Sequence, residues 1–302
     1  MSKQKLNLDT EAKERLRRTR LYIPGNNPGM VQNALIYGAD SLIFDLEDSI
    51  SIAEKDSARM LIRNALIDLD FGECEITIRI NAIDTQYFIK DMEAIIPTKP
   101  DGILLPKTET KEDLLKVDEI ITKIEKENNF PIGSVKIMPI IESALGVLNI
   151  ETIASAPRVV AIGLGGEDLT ADIGAKRTKT GKELEYISSK LIIACAAYKI
   201  QAIDTVYTDV NDLEGLYQAT LQAIELGFQG KSVIHPSQIE IVHQAFTPSE
   251  NEIEKAEKIV KAYQDAKKKG LGVISVDGRM VDLPVVRRSE RILKYAKATK
   301  LE

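Results

Sequence analysis

Eight short apolar runs, each followed by a longer stretch whose apolar residues return at helical spacing, fill the chain from residue 20 to residue 246. Short runs bounded by Pro, Gly or polar clusters read as strands. They fall at 20–23, 41–44, 76–80, 102–105, 135–141, 159–162, 201–204 and 232–234. The helical pattern is clearest at 53–66, where Ala53, Ala58, Leu61, Ile62, Ala65 and Leu66 recur at helical spacing. Further helices are predicted over about 30–37, 87–95, 111–126, 147–154, 184–198, 213–226 and 237–246. Eight βα units without a long break predict a closed parallel (β/α)8 TIM barrel, because a doubly wound sheet needs fewer strands or a second domain. No G-x-G-x-x-G follows the first run, which argues against a dinucleotide site.

Past Phe246 the period changes. Ser249 and Glu252 stand at capping-box spacing and open a long charged helix ending near Gly270. A hairpin is expected next, turning at Asp277 and Gly278, and then a last helix over about 285–298. The expected division is a barrel over 1–246 and a C-terminal helical and hairpin arm over 247–302, serving as a lid or a subunit contact.

Composition narrows the function. A chain of 302 residues suits one barrel, and a net charge of −6 gives no overall attraction to nucleic acid. The first twenty residues lack a signal-type apolar run and no stretch reaches membrane-span length, so a cytoplasmic protein with no membrane partner is expected. Cys74 and Cys195 lie far apart without metal-type spacing and read as buried free thiols. His235 and His243 are the only histidines, which disfavours catalytic triads and histidine-zinc sites.

Barrel chemistry gathers at the C-terminal ends of the strands. The polar residues there are Asp45, Glu47 and Asp48, then Arg79 and Asn81, Lys107, Glu142, Glu167 and Asp168, Asp204, and His235. Glu142 leaves the fifth strand and Asp168 sits in GLGGEDLTADIG after the sixth. Two carboxylates from adjacent strands, completed by substrate and water oxygens, are a common way to hold Mg²⁺. The plainer alternatives are a solvated helix cap for Glu142 and an Asx-type loop cap for Asp168. Arg79 lies inside an apolar run, where a charge is costly unless it meets an anion. That anion is either a substrate or a structural partner such as Glu47 or Asp48. Two basic groups stand out: Arg15, Arg17, Arg18 and Arg20, and Lys176, Arg177, Lys179 and Lys182. They read either as solvated faces or as phosphate contacts for a carrier.

The strings PGNNPGM, FDLEDS, IRINAIDT, GILLPKTE, IIESALG, IGLGGEDLTADIG, DTVYTD and GFQGKSVIHPSQI together resemble the β subunits of citrate lyase. These are the citryl-CoA lyase components within the superfamily of malyl-CoA and citramalyl-CoA lyases, and the resemblance spans nearly the whole chain after the first dozen residues. It implies a (β/α)8 barrel. It also implies a retro-Claisen-type cleavage of a citryl thioester, on CoA or on an acyl-carrier subunit, to oxaloacetate and an acetyl thioester. Residue by residue it implies that Arg79 contacts substrate and that Glu142 and Asp168 hold Mg²⁺, Glu142 contributing to substrate binding as well. Asp282, in RMVDLP, matches an acid that in malyl-CoA-type relatives reaches a neighbouring subunit's site, and it joins the catalytic set on that ground. Homo-oligomers and citrate lyase α and γ subunits are the implied partners. A stand-alone malyl-CoA or citramalyl-CoA lyase, and a non-catalytic assembly subunit, are the rival readings. The general base is not identified.

Overall fold

The computed structural model describes residues 12–268, 274–276 and 279–299. Eight parallel strands close into a ring in chain order: β1 (Thr19–Pro24), β2 (Ser41–Asp45), β3 (Glu75–Arg79), β4 (Gly102–Leu105), β5 (Lys136–Ile141), β6 (Ala161–Leu164), β7 (Gln201–Asp204) and β8 (Gly230–Val233). This is the TIM barrel that the alternation predicts. Nearly every strand position is buried, because one face meets the barrel interior and the other the surrounding helices. Ile43, Leu104, Met138, Ile140, Val160, Ala161 and Ile203 form the apolar core, with Tyr22 packed against it.

The ring closes where β1 meets β8, with Thr19 opposite Lys231, Arg20 opposite Ser232 and Leu21 opposite Val233. Gly230 is required at this seam: a Cβ there would lie 1.8 Å from the Arg17 carbonyl oxygen. The N-terminal end of the barrel is sealed by buried ion pairs. Arg17 holds Glu75 through two hydrogen bonds of 2.8 and 2.6 Å, and Arg18 holds Asp40 at 2.9 and 2.8 Å. Arg158 bridges Glu125 and Asp118 between the helix after β4 and the start of β6.

The helices in chain order begin with α1 (Pro28–Gln32), α2 (Lys55–Asp68), α3 (Phe88–Ile95) and α4 (Lys111–Glu127). Next come α5 (Ala144–Leu148), α6 (Ile150–Ala154), α7 (Gly166–Asp172), α8 (Glu185–Ala197), α9 (Leu213–Leu226) and α10 (Ser237–Phe246). Three of them depart from the periodicity, the first because the helix expected over 30–37 is α1 followed by a separate 3-10 helix at Ala34–Tyr37. The helix expected over 147–154 is two short helices, the first capped by Ser143, whose Oγ accepts from Gly146 N–H at 3.1 Å. The segment after β6, read as a loop, contains α7. Seven residues behind a glycine run are too few to show a helical period, yet Glu167 and Asp168 occupy a helix's acidic first turn.

The chain divides into two compact units after Val242, within α10. In the second unit α11 (Glu250–Lys268) and α12 (Leu283–Thr299) pack on each other, and Phe246 stacks on Tyr295 at 5.9 Å. Ser249 and Glu252 form the expected reciprocal cap, with Glu252 N–H donating to Ser249 Oγ and Ser249 N–H to the Glu252 carboxylate. Residues 274–276 and 279–281 pair antiparallel as a hairpin. The turn expected at Asp277 and Gly278, and the helix end expected near Gly270, lie outside the described residues. Cys195 is buried and Cys74 half-buried, both free, and burial pushes both thiols to about 12.

Candidate active site

A cavity of about 300 Å³ opens at the C-terminal mouth of the barrel, lined by Arg20, Tyr22, Asp45, Arg79, Glu142, Asp168 and the glycines from Gly163 to Gly166, among others. β2 and β3 end side by side with Asp45 opposite Arg79 in register, so the two inward side chains meet. Arg79 Nε and Nη2 donate to the two Asp45 oxygens at 2.6 Å each. Its Nη1 lies 3.0 Å from Glu47 and 3.8 Å from Asp48, and the guanidinium stands 5.0 Å over the Tyr22 ring. Burial works to raise the Asp45 carboxyl, but the Arg79 hydrogen bonds and charge win and hold it below the usual carboxylate range. The principal partner of Arg79 is therefore Asp45, ahead of the Glu47 and Asp48 that the sequence suggested. Of five guanidinium N–H groups, these contacts at 3.0 Å or less engage three.

The loop after β2 is braced from below. Lys55 on α2 donates to the carbonyls of Leu46 and Glu47 at 2.9 and 2.7 Å, and Asn81 donates to Leu46 at 2.9 Å. Glu47 thus stays buried at 5% exposure, between Arg79 and Lys107 Nζ at 3.1 Å. Burial pushes its carboxyl up despite these cations.

Glu142 follows β5 and is 6% exposed. Its Oε1 accepts the Lys107 backbone N–H at 2.6 Å. Lys107 adopts a left-handed φ of 50°, a conformation costly for a residue with a side chain and often kept at functional sites. Gly165 lets β6 approach: a Cβ there would lie 2.6 Å from both Cβ and Oε2 of Glu142. Burial raises the Glu142 carboxyl to about 8, the Lys107 N–H opposing and the Glu47 and Asp168 charges adding to the rise. Asp168, exposed in the first turn of α7, lines the same cavity. α7 is pinned to the residue that follows β7, since Gly166 N–H donates to Thr205 Oγ1 at 3.0 Å. A divalent cation fits this pair, because it would stabilise the ionised carboxylate that burial and, after it, the Glu47 and Asp168 charges disfavour. Among the described residues no cluster of three or more His, Cys, Asp or Glu side chains forms a closed metal cage. Two protein carboxylates would leave coordination positions for substrate and water oxygens, as Mg²⁺ prefers.

Other strand-end residues serve elsewhere. Asp204 pairs with Lys231 at 2.5 Å, Asn81 braces the loop, and the His235 ring pairs with Ser237 at 2.8 Å. The basic groups also divide. Arg15, Arg17 and Arg18 pair with Asp101, Glu75 and Asp40, which leaves the cavity to Arg20 alone of that group. In the second group Arg177 pairs with Glu167 and Glu183, and Lys179 with Asp212 at 2.6 Å. Internal carboxylates therefore engage Arg177 and Lys179, while Lys182 lines an adjoining cavity. This adjoining cavity of about 600 Å³ shares Glu167, Thr205 and Val206 with the first. Asp282, in the second unit, caps α12 by accepting the Val285 N–H at 3.3 Å. No helix among the described residues is long and apolar enough to cross a membrane.

Residues 18–236 match the family model of HpcH/HpaI aldolase/citrate lyase. The chain is 47% identical to citrate lyase subunit beta of Leuconostoc mesenteroides subsp. cremoris over 289 residues, covering 95% of this chain and 96% of that one. A CitE protein from Mycobacterium tuberculosis, solved in complex with magnesium, acetoacetate and coenzyme A, superposes with a TM-score of 0.77 at 29% identity, covering 94% of this chain and 99% of that one. A citrate lyase beta subunit from M. tuberculosis complexed with oxaloacetate and magnesium gives a TM-score of 0.67 at 29% identity, covering 79% and 100%.

Proposed function

This chain belongs to the HpcH/HpaI aldolase/citrate lyase family, a lyase family, and from that premise we propose that it cleaves a citryl thioester to oxaloacetate and an acetyl thioester with Mg²⁺. The observation that carries the reading is the meeting of Glu142, Asp168 and Arg79 on one cavity at the barrel mouth. The near full-length likeness to a citrate lyase beta subunit supports the substrate.

Glu142 and Asp168 would hold Mg²⁺, which when bound supplies a Lewis acid and fixes the hydroxy acid end of the substrate. Arg79, locked by Asp45 and Glu47 and stacked on Tyr22, keeps two N–H groups for a substrate carboxylate or for charge developing on oxygen. The substrate hydroxyl loses its proton, its oxygen becomes the ketone of oxaloacetate, and the C–C bond breaks. The electron pair leaves as a thioester enolate, which takes up a proton to become the acetyl thioester. The adjoining larger cavity has room for the thioester arm. Asp282, on the C-terminal unit, would act in the site of a second copy, and citrate lyase α and γ subunits would present the carrier in the cytoplasm.

The test is a panel of citryl-CoA, malyl-CoA and citramalyl-CoA assayed with and without Mg²⁺. Oxaloacetate released from citryl-CoA, at the highest kcat/KM of the three and only with the metal, is the expected result. A higher kcat/KM on malyl-CoA or citramalyl-CoA overturns the substrate assignment, and no cleavage of any thioester overturns the activity.

A further inference from the structure

The interior layer beneath the active site is unlike an ordinary barrel core. Branched apolar residues usually fill such layers. Here Arg20, the second residue of β1, lines the cavity and is paired in register with Ser41 on β2 and Ser232 on β8. Gly163 of β6 lines the same space, and a Cβ there would meet only Ile140 Cγ1, at 3.9 Å. The protein's own packing therefore does not demand a glycine at this position. Gly163 and Ser232, both on its wall, let the cavity run down from Glu142 and Asp168 to the arginine.

Arg20 itself is 1% exposed and poorly satisfied. Among the described residues its side chain makes one hydrogen bond, to Thr77 Oγ1 at 3.2 Å, and its Nε has no partner. The acid whose charge most favours it, Glu75, is already held on both oxygens by Arg17. Arg17 and Arg18 each have a bidentate carboxylate, whereas Arg20 has none. A buried charge without a counter-ion costs several kcal/mol, so an anion entering this cavity has a strong reason to stay.

We infer that Arg20 is the specificity residue of this site, receiving at the cavity floor the second free carboxylate of a tricarboxylic acyl thioester. The inference rests on the proposed citryl thioester reading. A citryl group carries one free carboxylate beside its hydroxyl and another on a CH₂ arm, and malyl and citramalyl groups lack the second. With the hydroxy acid end at Glu142 and Asp168, the arm points down the cavity and ends on the guanidinium, bidentate in the geometry that suits arginine. After cleavage the same carboxylate belongs to oxaloacetate, whereas pyruvate has no counterpart.

Isothermal titration of the full-length protein with oxaloacetate and with pyruvate, both in Mg²⁺, tests this without turnover. Wild type is expected to prefer oxaloacetate, and Arg20→Met, which fills the layer with an apolar chain of similar reach, should lose at least tenfold of that preference. Pyruvate affinity should change less than twofold. Equal weakening of both ligands, or an unchanged ratio, overturns the inference. If the Met variant fails to fold, Arg20→Lys keeps the charge without the fork. Its ratio should then fall below that of wild type, and a ratio equal to wild type also overturns the inference. The two readings fail separately. A wild-type enzyme that does not cleave citryl-CoA yet binds oxaloacetate through Arg20 sinks the substrate assignment and supports the specificity role. Cleavage of citryl-CoA by Arg20→Met at the wild-type kcat/KM does the reverse.

Discussion

The two ends of the barrel balance charge in opposite ways. At the N-terminal end three buried arginines have their own acids: Arg17 with Glu75, Arg18 with Asp40, and Arg158 with Glu125. At the C-terminal mouth Asp45, Glu47, Asp48, Glu142, Glu167 and Asp168 outnumber Arg79, Lys107 and Arg177. The first arrangement is complete in itself and holds the strands in place. The second keeps an excess of negative charge where burial makes it expensive, and Glu142 shows the strain by its rise to about 8. An end that is finished electrostatically serves stability. An end that is left unfinished is built to be completed by a ligand.

Perturbing each end should separate these roles. Asp168→Ala is expected to reduce Mg²⁺-dependent cleavage roughly a thousandfold, as several kcal/mol of charge stabilisation disappears. The melting temperature should stay within a degree or two, since the side chain is exposed. Retained activity at saturating Mg²⁺ would remove Asp168 from the site. At the other end, Glu75→Gln strands Arg17 in the interior and should cost about 3 kcal/mol, lowering Tm by roughly 6–12 °C in a thermal unfolding scan. An unchanged Tm would show that the lower end is not where stability is held.

The pH dependence sharpens the contrast. The carboxyl of Glu142 is raised above its ordinary 4.5 to about 8, so the folded metal-free protein favours its protonated form. Its contribution to stability is fully present below about pH 4.5 and is lost as pH rises toward 8. Mg²⁺ must displace that proton, so its affinity should climb through the same window and level off above it. Titration calorimetry is expected to find binding about 25-fold tighter at pH 8.5 than at pH 6.5. An affinity independent of pH would count against Glu142 as a ligand. The smallest effect is expected for Arg79→Lys, which keeps the charge but loses the fork. A loss of about tenfold in kcat/KM corresponds to about 1.4 kcal/mol of transition-state binding, and an unchanged value would leave Arg79 as structural support for the loop after β2.

The barrel was legible because each strand is an apolar run buried on both faces, and the period of the intervening helices is long enough to count. The start of β6 was not: Val159 and Val160 are as apolar as their neighbours, but Val159 makes only an isolated bridge to Ile137 and the strand begins at Ala161. Arg79, Glu142 and Asp168 could be singled out because chemistry in this fold collects at strand ends. The choice of Asp45 as the anchor of Arg79 could not, because three acids within four residues differ only in strand register and in the bend of the loop. Arg20 was hidden for a related reason. It stands among Arg15, Arg17 and Arg18, and composition cannot say that only one of the four enters the cavity.

The seam between β1 and β8 has a consequence for how the chain is made. Thr19, Arg20 and Leu21 wait for Lys231, Ser232 and Val233, which leave the ribosome some two hundred residues later. Until then the nascent first strand has one unmatched edge and the buried arginine stays in water. A chain cut short before Gly230 therefore does not make a smaller barrel. It lacks the strand that pairs with β1 on that side, and with it Ser232 of the cavity wall.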